Sequence, residues 1–331
     1  PAPPPSQGPK PRRVRRWFRI AGIVAVVVLL LSMFAVVGLG AWLDRSLQRS
    51  PVLADYAGRP SSGHGTTWLF VGSDKRDNLT PEEQLEYSTG DESRNGLTDT
   101  IMLIHVPSLL SDTPPTVISI PRDSAAEIPG HGTDKINSAF ALGGGPLLVQ
   151  TVEQKTGLRI DHYAEIGFLG VADVVDALGG VPVCLSQPVR DDEYTHIDLP
   201  AGCQTLDGRT ALGYVRTRAF PNADLQRVQD QREFMTALLH RIASPSVWLN
   251  PLRWVSVPRA VTAALIVDKG CHVWDLARLG WALNGSPTKL TVPASPSGDY
   301  LEWDKDAATQ LFDAVNNDNP IPRRLLEQPG G

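Results

Sequence analysis

The chain has 331 residues, of which 42% are hydrophobic and 20% are charged, and its formal net charge is −5. This length accommodates one or two domains with a sizeable core, and the composition is typical of a globular protein. The excess of acidic residues argues against a protein that binds nucleic acid through its overall charge.

The N-terminal segment has the pattern of a membrane anchor. Residues 1–19 are rich in proline and carry six basic residues but no acidic one, and residues 20–43 carry no charge. This run exceeds the roughly 20 apolar residues that span a bilayer and the shorter apolar core of a signal peptide. We predict a basic cytoplasmic tail followed by a transmembrane helix, with a cleaved signal sequence as the alternative. By the positive-inside rule, the chain from residue 44 onwards is extracytoplasmic.

The polar segment 44–65 is rich in Gly, Ser and Pro, which predicts an extracytoplasmic stalk. Without the six basic residues of the tail, 25 Lys and Arg remain against 36 Asp and Glu, so the extracytoplasmic part has a formal charge near −11. We therefore expect no nucleic-acid partner, and we interpret a cluster of arginines in this part as a local feature.

Three short apolar runs follow the stalk: Thr66–Asp74, Asp99–Pro107 and Pro115–Asp123. Continuous apolar runs of this length suit strands that are buried on both faces, and helical patterns separate the later strands. This alternation predicts an α/β fold, a three-layer α-β-α sandwich with a central mixed sheet, over residues 66–320. Residues 321–331 are predicted to be a C-terminal tail.

Charged side chains occur at the ends of these three runs. Asp74 ends the first, Asp99 opens the second, and Arg122 and Asp123 end the third. Ligands bind just beyond strand ends in open α/β sheets, although turns at these places also favour Asp. For the set as a whole we favour a ligand site.

The chain has three cysteines and no C-x-x-C pair, which argues against a thiolate zinc site. Disulfides are permitted outside the cytoplasm. Cys184 and Cys203 flank one acidic loop, so we predict that they pair, and Cys271 is left over.

The charged stretch 214–234 predicts a helix in its second half. At about 100° per residue, Arg227 and Gln231 fall within the apolar arc of that helix, where an arginine is costly unless it is paired. Arg216 and Arg218 project to the same side if their segment is extended. We expect these arginines to converge with the arginine at the end of the third strand, because guanidinium groups bind phosphate or carboxylate. The alternative is a buried ion-pair network with Asp224 and Asp123.

Eight short blocks occur in order between Phe70 and Phe234: FVGSDKR, TDTIMLIHV, ISIPRDS, DKINSAF, GLRIDHYAEIGFLG, VDALGGVPV, LDGRTALGYVRTR and DLQRVQDQREF. Each block is weak alone, but eight in this order behind one N-terminal anchor are specific. The chain resembles the LytR-CpsA-Psr phosphotransferases of bacterial cell envelopes.

The resemblance implies transfer of a glycopolymer from a polyprenyl-diphosphate carrier to a peptidoglycan sugar hydroxyl, which forms a phosphodiester. It matches the metal-binding aspartates of the family to Asp74 and Asp99, with Mg²⁺ as the expected cofactor. It matches the diphosphate-binding residues to Arg122, Lys135, Arg216, Arg218, Arg227 and Gln231. Among these we expect Arg122 and Arg218 to be catalytic, and Asp123 is our candidate for the general base. The resemblance also assigns residues 139–149 and 170–178 to helices that line one lipid tunnel.

The chemistry of the residues agrees with this implication. Phosphoryl transfer requires charge neutralisation and alignment, and Mg²⁺ binds one or two carboxylates together with phosphate oxygens. One position departs from the family pattern: Leu97 stands where an arginine is frequent, and Arg94 is the candidate substitute.

Two alternatives stay open at this stage. A hydrolase of polyprenyl diphosphates needs the same groups, because water and a sugar hydroxyl are similar nucleophiles. A non-enzymatic, membrane-anchored regulator of the cell envelope is the other. The tail before Ile20 is too short for a DNA-binding domain, and we expect its arginines to contact anionic membrane lipid.

Overall fold

The computed structural model describes residues 12–73, 98–192, 195–217, 234, 237–238, 240–242, 244–251 and 253–326. The chain divides into two compact units, Pro1–Arg45 and Ser46–Gly331. The first unit contains most of helix α1, Arg12–Ser46. Within this helix, the segment Ile20–Ser46 has 27 residues and contains an 18-residue window with a mean hydropathy of 3.0, so it is long and apolar enough to cross a membrane.

The second unit is built from fifteen short strands in the part of the chain that the structure describes. Their bounds are β1 Gln48–Ser50, β2 Thr66–Ser73, β3 Thr98–Val106, β4 Thr116–Ile120, β5 Ala125–Ile128, β6 Gly132–Lys135, β7 His162–Gly167, β8 Val181–Leu185, β9 Val189–Asp191, β10 Ile197–Leu199, β11 Gly202–Leu206, β12 Leu265–Asp268, β13 Thr288–Thr291, β14 Ala294–Ser297 and β15 Tyr300–Trp303.

Seven of these strands form the central sheet, in the order β1-β12-β7-β2-β3-β4-β13. Strand β2 pairs parallel with β7 and antiparallel with β3, and β13 pairs parallel with β4. The sheet is therefore mixed, as predicted.

Helices cover both faces of this sheet. After α1, the helices are α2 Ser138–Thr156, α3 Phe168–Ala177, α4 Gly208–Arg216, α5 Pro245–Trp248, α6 Arg253–Ala264, α7 Val273–Leu283, α8 Lys305–Asn316 and α9 Arg323–Leu326. One hydrophobic cluster joins the sheet to α3, α4, α6 and α7, and a second joins it to α2 and α8. The three-layer α-β-α prediction is confirmed.

Consecutive side chains of a strand point to opposite faces of the sheet, and a hydrophobic cluster covers each face, so the strands are buried on both sides. Along β2, Trp68 packs in the first cluster, whereas Leu69 and Val71 pack in the second. This explains why the strand is a continuous apolar run rather than an alternating one. The sheet also separates α2 from α3, so the two helices that were predicted to line one lipid tunnel lie on opposite faces, and that prediction is corrected.

Of the predicted stalk, residues 44–65, the part from Ser46 onwards belongs to the second folded unit. Strand β1 pairs with β12 at the edge of the central sheet. Further along, the buried guanidinium of Arg59 binds Glu153 of α2, with Nη2 3.0 Å from Oε1. Composition predicted a flexible linker because glycine and serine are frequent here, but long-range pairing holds this segment against the domain.

Two of the two-stranded antiparallel sheets outside the central sheet are formed by β8 with β11 and by β9 with β10. Cys184 on β8 and Cys203 on β11 are opposite each other in the register, and they form a disulfide. This is the pair that the sequence analysis selected. Cys271 is buried and is not part of a disulfide.

Candidate functional site

The strand register brings the ends of β2, β4 and β7 and the start of β3 to one side of the central sheet. Ser73 at the end of β2 is opposite Thr98 at the start of β3 and Gly167 at the end of β7. Ile101 of β3 is opposite Ile120, the last residue of β4. We call the side of the sheet where β2, β4 and β7 end the upper edge. The side where these three strands begin is the lower edge.

The predicted site residues divide into three groups. The structure brings Arg122, Asp123 and Lys135 together, and it places Arg216 in the last turn of α4. Asp99 is described only as part of the backbone of β3. The remaining predicted positions lie outside the described residues: Asp74, Arg94, Leu97, Arg218, Arg227 and Gln231.

A cluster of three charged side chains lies just beyond the end of β4. Lys135 Nζ donates a hydrogen bond to Asp123 Oδ1 at 2.8 Å, and Arg122 Nε lies 3.6 Å from Asp123 Oδ2. All three side chains are between 24% and 36% exposed, so a ligand at the surface can reach them. One carboxylate therefore holds two cations side by side at the upper edge.

The backbone around this cluster is tightly held. Strand β6 returns antiparallel to β5, and this hairpin brings Lys135 back beside residue 123. Ile136 N donates to Ser124 O at 2.8 Å, and the Ser124 hydroxyl accepts a hydrogen bond from Trp303 Nε1. Leu301 N donates to Asp123 O. The positions of the two cations are therefore set by main-chain bonds as well as by the shared carboxylate.

Lys135 is fully protonated at neutral pH. Its hydrogen bond to Asp123 raises the pKa of Lys135, and the charge of Asp123 acts in the same direction, against partial burial and the nearby Arg122. The ammonium group is therefore a permanent cation at this position, which suits it to bind a phosphate.

A buried polar chain lies directly beneath the upper edge. Glu165 of β7 is 4% exposed and accepts hydrogen bonds from Ser73 Oγ at 3.0 Å and from Tyr163 OH at 2.8 Å. Burial and the Glu165 carboxylate raise the pKa of Tyr163 well above its ordinary value. Gly145 of α2 leaves room for this phenol, because a Cβ there would lie 3.0 Å from Tyr163 Oη. Ser73, the last residue of β2, is thus held from below.

The hydrophobic pattern of the sequence did not predict this polar chain. The available signal is Glu165 itself, an acidic residue inside the apolar pattern of a central strand, because a buried carboxylate needs partners. Thr98 completes the edge: its hydroxyl donates to Gly72 O at 2.8 Å, beside the irregular register between Gly72 and Ser73.

Arg216 is half-buried and helical rather than extended, because α4 continues to this residue. Arg216 and Arg218 were predicted to project to the same side on the condition that their segment is extended. That condition is not met at Arg216. The next residue, Thr217, is fully buried and donates from Oγ1 to Asp191 Oδ2 at 2.8 Å. This bond ties the segment after α4 to strand β9.

The predicted apolar stripe of the following helix is visible at two positions. Phe234 is 0% exposed and Leu238 is 3% exposed, and both pack in the first cluster. On the same helical stretch, Arg241 donates to the carbonyl oxygens of Leu178 and Gly180, which follow α3.

Comparison with known proteins decides the family. A family model described as the LytR_cpsA_psr family matches residues 48–303. The chain belongs to the LytR_cpsA_psr family. This LytR_cpsA_psr protein is 45% identical over 301 residues to the probable cell wall biosynthesis protein LcpB of Corynebacterium glutamicum. The matched region covers 89% of the chain and 70% of that relative.

Two further comparisons agree. The polyisoprenyl-teichoic acid–peptidoglycan teichoic acid transferase TagU of Enterococcus faecalis is 32% identical to this LytR_cpsA_psr chain over 237 residues, 68% of the chain and 72% of the relative. The solved structure of a LytR-Csp2A-Psr enzyme from Actinomyces oris has the same fold. It superposes with a TM-score of 0.64 at 23% identity, covering 82% of this chain and 97% of the other.

Proposed function

We propose that this protein transfers a phosphate-linked glycopolymer from a polyprenyl-diphosphate carrier to a sugar hydroxyl of peptidoglycan, and that Mg²⁺ assists the reaction. The observation that carries the proposal is the cluster of Arg122, Asp123 and Lys135 at the upper edge. Membership of a family that contains a named peptidoglycan teichoic acid transferase supports it.

The two cations of this cluster suit a diphosphate. A guanidinium group binds phosphate oxygens through a rigid fork of donors, and an ammonium group adds a compact charge. Phosphoryl transfer depends on such groups because they neutralise charge and align the reacting oxygens. In this proposal Arg122 and Lys135 bind the carrier diphosphate, and Arg216, Arg218, Arg227 and Gln231 extend the same pocket.

The donor chemistry of Asp74 and Asp99 fits a magnesium ion. Residue 74 follows β2 directly and residue 99 is the second residue of β3, and the pairing of Ser73 with Thr98 puts the two strand ends side by side. Mg²⁺ is commonly bound by one or two carboxylates and substrate phosphates. When bound, the ion supplies additional neutralisation of the phosphate oxygens. The buried bond from Ser73 to Glu165 then keeps the end of β2 in place.

The contacts of Asp123 favour an orienting role over proton abstraction. Its carboxylate oxygens are both engaged by cations, with Lys135 Nζ 2.8 Å from Oδ1 and Arg122 Nε 3.6 Å from Oδ2, so the carboxylate is placed to orient these two groups. Asp123 remains the candidate general base if the diphosphate draws both cations away. The variant Asp123→Asn separates these roles: orientation predicts a higher KM for the carrier lipid, whereas proton abstraction predicts a lower kcat at an unchanged KM.

We further propose that the N-terminus is cytoplasmic and that the domain from Ser46 onwards is extracytoplasmic. The basic residues before Ile20 support this orientation through the positive-inside rule. The disulfide between Cys184 and Cys203 supports it independently, because disulfides persist in oxidising compartments.

The decisive experiment is a transfer assay with the detergent-solubilised full chain, a lipid-diphosphate-linked glycan, Mg²⁺ and peptidoglycan. Lys135→Ala is expected to reduce kcat/KM about 100-fold, which is typical for the loss of one preorganised electrostatic group. Arg324→Ala is the matched control, because it removes an exposed cation on α9. Equal activity of the two variants refutes the assignment of the cluster.

The products distinguish the alternatives. Glycan attached to peptidoglycan supports the transferase, whereas free glycan phosphate with peptidoglycan present supports a hydrolase. Cells that carry Asp74→Ala and Asp99→Ala and still make normal wall polymer would support the non-enzymatic regulator. The glycopolymer used in the assay is varied in parallel, because in this proposal Arg122 and Lys135 bind the diphosphate and do not select the glycan.

A further inference from the structure

A second group of potential ligands lies at the lower edge of the sheet, away from the phosphate cluster. His162 begins β7, Asp268 ends β12, and Cys271 follows three residues later. One ligand atom from each of these residues lies within 4.8 Å of the others. The proposed transfer reaction uses none of them.

We propose that His162, Asp268 and Cys271 form a binding site for a thiophilic divalent cation of the zinc class. The imidazole and thiolate select zinc over magnesium, because Mg²⁺ prefers oxygen ligands throughout. The absence of a C-x-x-C pair argues against a site made of several thiolates, but a site with one Cys, one His and one carboxylate does not need that pair.

The backbone preorganises this site. Cys271 N donates to Asp268 O at 3.2 Å, which closes a turn that places the thiol beside the carboxylate. Tyr163 N and Gly270 N donate to the two oxygens of Asp268 at 3.0 and 2.9 Å. Each carboxylate oxygen keeps acceptor capacity after these bonds. The pairing of β12 with β7 brings His162 to the same turn, with Nδ1 3.3 Å from Asp268 Oδ1.

The spacing is close to that of a tetrahedral zinc site. Ligand atoms bound to zinc are about 3.3–3.6 Å apart for imidazole, carboxylate and thiolate. The pair between His162 and Asp268 already has this separation, and the widest pair of the group must approach by about 1 Å. This approach requires the Cys271 side chain to rotate, and the rotation exchanges the 3.8 Å contact of its thiol with His272 O for a bond to the metal.

The charge balance suits a divalent ion, which on binding displaces the thiol proton of Cys271 to solvent. Asp268 is 3% exposed and Cys271 is 0% exposed, so a carboxylate and a thiolate there are costly unless they are neutralised. One divalent cation with these two anions has no net charge, which is the condition for burial. Arg49, which donates to Cys271 O, and Arg278, which faces His162 across a cavity, oppose the ion, whereas Asp275 at the same cavity favours it.

Water is the proposed fourth ligand. A cavity of about 30 Å³ is lined by His162, Thr66, Trp68 and Asp275 among others, and His162 is the member of the proposed site that borders it. This volume holds one or two water molecules. The site would therefore consist of three protein ligands and one water, and it would cross-link the start of β7 to the turn before α7.

Zinc binding by the full chain tests this proposal. The detergent-solubilised protein is treated with a chelator, exchanged into excess Mg²⁺ to occupy the upper edge, and titrated with zinc alone. No thiol reductant is added, so the disulfide stays closed. We expect one zinc per chain by elemental analysis, and a thiolate-to-metal charge-transfer absorption after replacement by Co²⁺.

Two variants and one control complete the test. Cys271→Ser should abolish the charge-transfer band, and His162→Asn should weaken zinc affinity at least about tenfold, since even changes around metal ligands cost about 10–100-fold. His131→Asn, an exposed histidine in the β5–β6 turn, should bind like the wild type. If Cys271→Ser does not fold, His162→Asn decides. A wild type that retains no zinc, or variants that retain it fully, would overturn the site.

Discussion

The ion pair between Arg59 and Glu153 offers the sharpest test of how residues 46–65 contribute to the folded unit. Arg59 Nε and Nη2 donate to the Glu153 carboxylate at 3.0–3.1 Å, and Tyr56 OH donates to the same carboxylate at 2.9 Å. The side chain of Glu153 is 0% exposed and that of Arg59 is 7% exposed. Arg59→Ala therefore leaves a buried carboxylate with only Tyr56 OH and Ile160 N as donors.

Removal of one partner from a buried pair costs about 3–5 kcal/mol. Each kcal/mol shifts the melting temperature of a domain of this size by about 2–4 °C, so Arg59→Ala should melt at least about 6 °C lower. Thermal and urea unfolding of the full chain in detergent measure this. Arg159→Ala is the matched control, because its partner Asp55 is 87% exposed and the pair, at 3.7 Å, is worth about 0–1 kcal/mol. An equal decrease in melting temperature for both variants would refute the reasoning. It would favour the original prediction that this segment is a stalk.

Three other predictions follow from the described contacts. Glu165→Gln should lower the free energy of unfolding by about 1.5–3 kcal/mol and slow glycan transfer, because Ser73 loses a charged acceptor; unchanged unfolding and activity would contradict this. Burial opposes ionisation of Asp318, but hydrogen bonds from His105 and Ser108 outweigh it and lower the pKa of Asp318. Its stabilisation is complete above the unfolded pKa of about 3.9 and is lost as the pH falls through the lower folded pKa. The gap in urea stability between wild type and Asp318→Asn should therefore be largest at neutral pH and shrink in acid, and a gap independent of pH would disprove it. Replacing Cys184 and Cys203 together by Ser opens a loop with a sequence separation of 19, which should cost about 3 kcal/mol in urea unfolding, and a loss below about 1 kcal/mol would count against the bridge as a stabiliser.

The sequence predicted the strands well because their signal is local. A run such as the one around Leu69 is apolar at every position, and only a strand covered on both faces accommodates it. The order of the apolar runs also predicted that the ends of three strands lie close together. The register of β2, β3 and β4 agrees with that placement. The composition of residues 44–65 predicted a stalk, but glycine and serine content does not show whether a distant element pairs with the segment. Here β12 and α2 supply the partners.

The candidate site was predictable only in part. Arg122 and Asp123 stand out because they follow an apolar run, but the position of Lys135 came from the family resemblance alone. Its contact with Asp123 depends on the β5–β6 hairpin, which folds the chain back on itself. Glu165 was missed because its partners are Ser73, on a neighbouring strand, and Tyr163, two residues earlier on its own strand.

By itself, the sequence determined the membrane-length helix, the α/β class, the choice of Cys184 and Cys203 as a pair, and the family. These features depend on hydrophobic period, on chain neighbours and on short motifs, all of which are readable along one dimension. The tertiary structure alone decided which face each helix covers, and which side chains meet across strands. The meeting of His162 with Cys271 shows the reason: the pairing of β7 with β12 sets that distance, and pairing between distant strands is set by the whole sheet.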